Sequence, residues 1–124
     1  MSERVAALPI REGQVGLITN RSGKNWIIPK GWPEVDLTDP ECALQEAWEE
    51  MGVDGRISSE PVGSYVDLKY GEPRFILVFL LHVTEIFDEY PEDFRDRIWV
   101  DPEEAVQLVK AEGLRDIIRE VCEL

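Results

Sequence analysis

The stretch Gly31–Val53, GWPEVDLTDPECALQEAWEEMGV, limits what this chain can fold into more than any other. It specifies a helix with a defined start, stop and inner face. Thr38-Asp39-Pro40-Glu41 fits a capping box, with Thr38 as N-cap and Glu41 three residues on. Asp39 and Pro40 suit the first turn. Gly52 can take the left-handed conformation that ends a helix near Met51. Ala43, Leu44, Ala47, Trp48 and Met51 supply an apolar stripe, so the acidic side points the other way.

That acidic side is unusual. Glu46, Glu49 and Glu50 fall within one five-residue window. Residues three and four apart share a helix face, so the three carboxylates are neighbours. Glu46 and Glu50 repel each other by roughly 0.2–0.5 kcal/mol at i,i+4. All three also face the negative end of the helix dipole, at about 0.3–1 kcal/mol each on a surface. No Lys or Arg lies between Lys30 and Arg56 to offset them. A hard divalent cation, which takes oxygen ligands, would relieve such a cluster.

These residues carry a family resemblance. With U for an aliphatic residue, the Nudix hydrolase signature reads G-x5-E-x7-R-E-U-x-E-E-x-G-U. Gly31 matches the first glycine, Glu46-Ala47 the E-U pair, Glu49-Glu50 the E-E pair and Gly52-Val53 the closing G-U. Leu37 stands where the first Glu belongs, and Gln45 where the Arg belongs. The lead-in Trp26-Ile27-Ile28-Pro29-Lys30 also resembles the strand and loop before the box in many members. The resemblance implies a single Nudix domain over residues 1–124, an α/β/α sandwich around a mixed β-sheet.

Composition agrees with a small enzyme. The 124 residues suit one domain, large enough to bury roughly two thirds of the unfolded surface. The fractions of 44% apolar and 31% charged residues belong to the soluble globular class. No apolar run reaches the ~18 residues of a membrane span, and no signal-peptide pattern opens the chain. Cys42 and Cys122 are too few for a disulfide scaffold and read as reduced thiols of a cytoplasmic protein. The net charge of −13 argues against nucleic-acid binding. An anionic small-molecule substrate would then need local compensation. Arg11, Arg21, Lys24, Lys30, Lys69 and Arg74 fall near expected loops or strand ends and are candidates to provide it.

Residues 4–11 and 14–20 read as strands around a Glu12-Gly13 turn, with Pro9 suggesting an edge or a bulge. Trp26–Ile28 is a short strand. One or two strands fill 56–70, and Gly71-Glu72-Pro73 turns the chain. Phe75–Val83 is nearly all apolar and reads as a central strand buried on both faces. His82, within it, is expected to be a core histidine. Residues 85–96 form an acidic loop and Arg97–Val100 a strand. Asp101-Pro102 starts a helix to about Lys110, and a last helix covers Leu114–Cys122. Trp26, Trp48 and Trp99 read as core anchors, and Trp32 as packing within its loop.

The resemblance also implies chemistry. Glu49 and Glu50 would be principal ligands of magnesium or manganese, and Glu46 would join the metal shell or act as base on water. A carbonyl of Lys30 or Gly31 would add an oxygen ligand. A further acid is expected from the loop, among Glu92, Asp93 and Asp96, with Asp93 favoured by its spacing to Trp99. Lys30, Arg21, Lys69 and Arg74 would hold substrate phosphates. The reaction implied is hydrolysis of a diphosphate linkage in a nucleoside diphosphate derivative, a dinucleoside polyphosphate or a related polyphosphate. Because Leu37 and Gln45 depart from the signature, a weak or inactive module that binds a nucleotide metabolite is the alternative. A simple cation-binding protein is a third. A homodimer is compatible with either of the first two.

Overall fold

A computed structural model of the chain describes residues 2–124. Seven strands form one mixed sheet: β1 (Ser2–Arg11), β2 (Gln14–Thr19), β3 (Trp26–Ile27), β4 (Lys30–Gly31), β5 (Val53–Lys69), β6 (Glu72–Ile86) and β7 (Arg97–Val100). Three helices accompany it: α1 (Asp39–Met51), α2 (Pro102–Leu108) and α3 (Glu112–Val121). The main strand order is β3-β2-β1-β6-β5, with β4 added on β1 and β7 on β2. β1 and β6 run parallel from Ser2–Arg74 to Ile10–His82, while the other pairs are antiparallel.

The alternation of β6 sorts its apolar residues onto two faces. Ile76, Val78 and Leu80 meet Ala105 of α2 and Leu114, Ile117 and Ile118 of α3. Phe79, Leu81 and Val83 meet Cys42, Ala43, Ala47 and Met51 of α1. β6 is therefore central and covered on both sides, and the architecture is the α/β/α sandwich that the sequence implies. The helix start is also as expected: the Thr38 hydroxyl accepts from the Glu41 N–H, and the Glu41 carboxylate accepts from the Thr38 N–H at 2.9 Å. Gly52 ends α1 at φ 68°, with its N–H donating to the Trp48 carbonyl.

Several expectations are corrected. Pro9 is in an interior strand, not on an edge. It lies between the stretch of β1 that pairs with β4, at Val5 and Ala6, and the stretch that pairs with β2, at Ile10 and Arg11. A missing N–H is tolerated in that gap. Of the one or two strands expected over 56–70 there is one, β5, which ends at Lys69 and has register shifts near Asp54, Ile57 and Pro61. The turn after it is Tyr70-Gly71, both at positive φ, and Pro73 already pairs with Leu68. His82 is exposed rather than in the core. It lies on the α2/α3 side, where the cover gives way to a shallow groove bordered by Pro102 and Cys122. Trp48 is 42% exposed, because the line that α1 buries runs through Ala43, Ala47 and Met51. Trp26 and Trp99 do pack against the core. The expected helix over 102–110 ends at Leu108, and the last helix begins at Glu112.

Gly16 of β2 lies under side chains of α1 and β7. A Cβ there would lie 2.5 Å from Met51 Cε and 2.9 Å from the Trp99 ring. Gly16→Ala should lower stability by about 1–3 kcal/mol through overpacking, read as a drop in urea midpoint at constant slope. An unchanged midpoint would mean that Met51 and Trp99 repack without cost.

Candidate active site

The acid cluster lies where α1 crosses β4. Glu50 is 8% exposed, and its Oε1 accepts from the Lys30 N–H at 3.2 Å. Gly31, the next residue, lets Glu46 approach: a Cβ at position 31 would collide with the Glu46 carboxyl group. The Glu46 and Glu50 carboxyl groups are neighbours on one face of α1. Burial, followed by the charge and close approach of Glu50, pushes Glu46 up to about 8. Burial also raises Glu50, against the opposing charge of Arg95 and the Lys30 N–H. Glu49 is half-buried and accepts from Gln45 Nε2 at 3.2 Å.

A cleft of about 570 Å³ opens beside the cluster. Glu50 and Asp67 are its acids; Arg4, Arg21, Lys30, Lys69, Arg74 and Arg95 are its cations. All four basic residues expected to hold substrate, Arg21, Lys30, Lys69 and Arg74, line it. Arg11 and Lys24 do not. Arg74 donates to Asp67 Oδ2 at 3.0 Å, and its Nε is buried without a partner. Burial lowers the Lys30 ammonium below its ordinary range; Glu50 opposes this and Arg74 adds to it. Trp32 does not bury itself in its loop as expected. It is 61% exposed, with the Arg4 guanidinium 3.3 Å from its ring centroid.

Two cleft arginines escaped sequence reasoning. Arg4 reaches the site only because Val5 pairs with Gly31, a contact with no local signal. Arg95 is the single cation of the acidic segment 85–96, which could have drawn notice. Its side chain is 5% exposed and donates to Thr19 O at 2.9 Å and to Glu92 Oε1 at 2.8 Å and 3.2 Å. The loop acid turned toward the cluster is Glu92, whose charge helps to raise both Glu46 and Glu50. Asp93, the favoured candidate, is exposed and lines no part of the cleft; Asp96 is exposed as well. Leu37 packs against the α1 core, so the carboxylate missing there is replaced by an apolar contact.

The NUDIX domain family description matches residues 2–121. The chain belongs to the Nudix family. It is 34% identical over 104 residues to Nudix hydrolase 21, chloroplastic, of Arabidopsis thaliana, covering 79% of this chain and 50% of that protein. It is 29% identical over 104 residues to diphosphoinositol polyphosphate phosphohydrolase 3-beta of Bos taurus, covering 81% and 62%. The chain thus spans about half to three fifths of these relatives. In fold it is similar to a Caenorhabditis elegans Ap4A hydrolase in a binary complex, with a TM-score of 0.82, 15% identity and 99% and 96% coverage. No helix among the described residues is long and apolar enough to cross a membrane.

Nudix hydrolases generally use divalent metal ions. Among the described residues no three His, Cys, Asp or Glu side chains converge as a ready-made cage. The donor chemistry nevertheless fits a hard cation. Glu46 is half-buried and Glu50 buried, and their neighbouring carboxyl groups offer oxygen ligands whose mutual repulsion a cation would relieve.

The raised Glu46 has a measurable sign. Its folded value lies above the ordinary 4.5, so between the two the folded state holds more protons than the unfolded state. Its contribution to stability is full below pH 4.5 and is lost as pH rises toward 8. The melting temperature of the metal-free protein should therefore carry a falling component from pH 5 to 8, and Glu46→Gln should flatten it. A decline of equal slope in that variant would assign the proton elsewhere.

Proposed function

We propose that this Nudix domain, residues 1–124, hydrolyses a diphosphate linkage in a small phosphorylated substrate, using magnesium or manganese. The observation that carries this reading is the position of Glu50: it lines one cleft together with six cationic side chains. Carboxylates and cations have opposite preferences in ligands. A cleft holding both fits a phosphate group bridged to the acids by a metal ion. A bound divalent cation would polarise a phosphoryl oxygen and lower the pKa of an attached water.

The chain's own residues supply the rest. Glu46, Glu49 and Glu50 offer ligand oxygens, and carbonyls of Lys30 or Gly31 can add another. Glu46 lies against Gly31, one helical turn before Glu50, so it can hold or accept a proton at the edge of the metal shell. The unpartnered Arg74 Nε is a buried donor that an anion would satisfy. Lys30, depressed by burial, regains its ordinary charge preference when a phosphate arrives.

Six cations exceed what one diphosphate needs. This favours a substrate with several phosphates, such as a dinucleoside polyphosphate or a diphosphoinositol polyphosphate, the compounds named for relatives. With Tyr70 and Leu68 on the cleft lining, the non-reacting moiety meets apolar surface as well. The competing reading, a module that binds without turnover, draws on Leu37, whose place in the core removes one acid.

Phosphate release from a panel of diphosphate compounds, with and without magnesium or manganese, tests the reading. Metal-dependent turnover of at least one compound is expected. Glu46→Gln should cut kcat by roughly 10²–10⁴ with little change in KM, whereas Glu50→Gln should also weaken metal affinity measured by calorimetry. Tight binding without turnover across the panel would favour the module instead.

A further inference from the structure

Trp32 has no part in the chemistry proposed above. The Nudix signature asks for no particular residue at its position. Among the described residues, the ring packs into neither half of the core. It is 61% exposed, an unusual place for so large an apolar ring. Its surroundings are nonetheless well fixed. Val5 pairs with Gly31 and Ala6 with Lys30, which makes Arg4 and Trp32 the next cross-strand neighbours. The Arg4 guanidinium lies 3.3 Å from the centroid of the Trp32 ring. On the other side, Pro33 restricts the Trp32 backbone to an extended conformation.

Strand alternation decides which way this pair faces. Val5 belongs to the core half under α1, and a Cβ on Gly31 would meet Glu46 of α1. Arg4, Lys30 and Trp32 are each one residue away and therefore share the opposite face. Arg74 shares it too, because it pairs with Ser2, two residues before Arg4. Arg4, Lys30 and Arg74 all line the cleft, and Trp32 is stacked on Arg4. With Arg4 on one side of the ring and most of the residue exposed, the other side is open. The cations suit phosphates; the ring does not. Neither a phosphate nor the saturated ring of an inositol has a π face. A nucleobase does, and it stacks on aromatic rings and on guanidinium planes alike. Tyr70 also lines the cleft, but it is almost fully exposed on a hairpin turn, with the Lys69 ammonium 5.7 Å from its ring. It is not held in place as Trp32 is, and a surface already assembled loses less on binding.

We propose that the Arg4–Trp32 stack is a platform for a nucleobase, and that the cleft takes a nucleoside polyphosphate and not an inositol polyphosphate. The base stacks on the pair while Lys30, Arg74 and the other cations of the cleft hold the phosphates. Trp32 is then a specificity-determining residue. Its loss weakens binding of a nucleotide and spares binding of a bare phosphate chain. The inference rests on the proposed function in taking the cleft as the substrate site.

The test compares the parent with Trp32→Ala, Trp32→Phe and Trp32→Leu. Calorimetry with magnesium gives their affinities for diadenosine tetraphosphate, inorganic tetraphosphate and a diphosphoinositol polyphosphate. Where the parent hydrolyses a compound, all four proteins carry Glu46→Gln as well, so that binding is read at equilibrium. Trp32→Ala should weaken the adenosine compound roughly five- to hundredfold, the range of a lost base–aromatic stack, and leave the other two within about twofold. Trp32→Phe, which keeps a flat ring, should recover most of the affinity. Trp32→Leu, which keeps bulk without a π face, should not. Equal losses for all three compounds, no loss for the adenosine compound, or a leucine variant as tight as the phenylalanine variant would each overturn the proposal. If Trp32→Ala does not fold, the comparison of phenylalanine with leucine decides. Turnover of the inositol compound by a parent that does not bind the adenosine compound would defeat the platform and leave the functional reading intact. A parent that releases no phosphate, yet loses adenosine affinity in Trp32→Ala, would defeat the functional reading and support the platform.

Discussion

The parallel ladder between β1 and β6 is the constraint on which the rest depends. It joins two long strands and divides the core into its two faces. It also brings the beginnings of both strands together, with Ser2 opposite Arg74. β1 in turn holds β4 at Val5 and Ala6, and β4 carries Lys30 and Gly31 against α1. Arg4, Lys30 and Arg74 therefore meet through consecutive backbone pairings and not through loop geometry. A site built from strands keeps its spacing better than one built from loops.

What the sequence made legible is local or periodic. The capping box of α1, the Gly52 stop, the Glu12-Gly13 turn and the two-faced apolar run of β6 each rest on residues within a few positions of one another. What it hid depends on distant partners. Pro9 resembles an edge residue until the pairing of β1 with two separate strands is known. His82 belongs to an apolar strand, yet its exposure depends on how far α2 and α3 extend over the sheet. Trp48 looks like an anchor by hydropathy, but Ala43 and Ala47 set the close line of approach. Among the acids, the three glutamates of α1 were evident from spacing. The choice of Glu92 over Asp93 turns on which side chain Arg95 and the loop backbone orient, and spacing to Trp99 does not decide that.

Charge is distributed against its average. The chain carries 26 acidic and 13 basic residues, yet the cleft is lined by six cations and two acids. Such a concentration in a protein of net charge −13 sets the cleft apart from the surface around it, although Arg74 pairs with Asp67 and both Arg21 and Arg95 pair with Glu92. Polyanions would be repelled at long range and attracted only near the mouth, where screening has removed the distant acids. Affinity in the cleft and rate of approach to it thus respond differently to salt.

The order in which the chain can fold follows from the same central ladder. The β1–β2 and β5–β6 hairpins close over two-residue turns, Glu12-Gly13 and Tyr70-Gly71, and can zip from local contacts. The pairing of Val5 with Leu77 cannot, because α1 and the whole of β5 lie between them. Closing that span is the slow, non-local step. Until it closes, a growing chain that ends after α1 holds three neighbouring glutamates without Arg74 or Arg95 to face them. Arg4, Arg21 and Lys30 emerge before these acids but Lys69, Arg74 and Arg95 only after them, so the cleft is complete only once β5, β6 and the loop before β7 have joined the sheet.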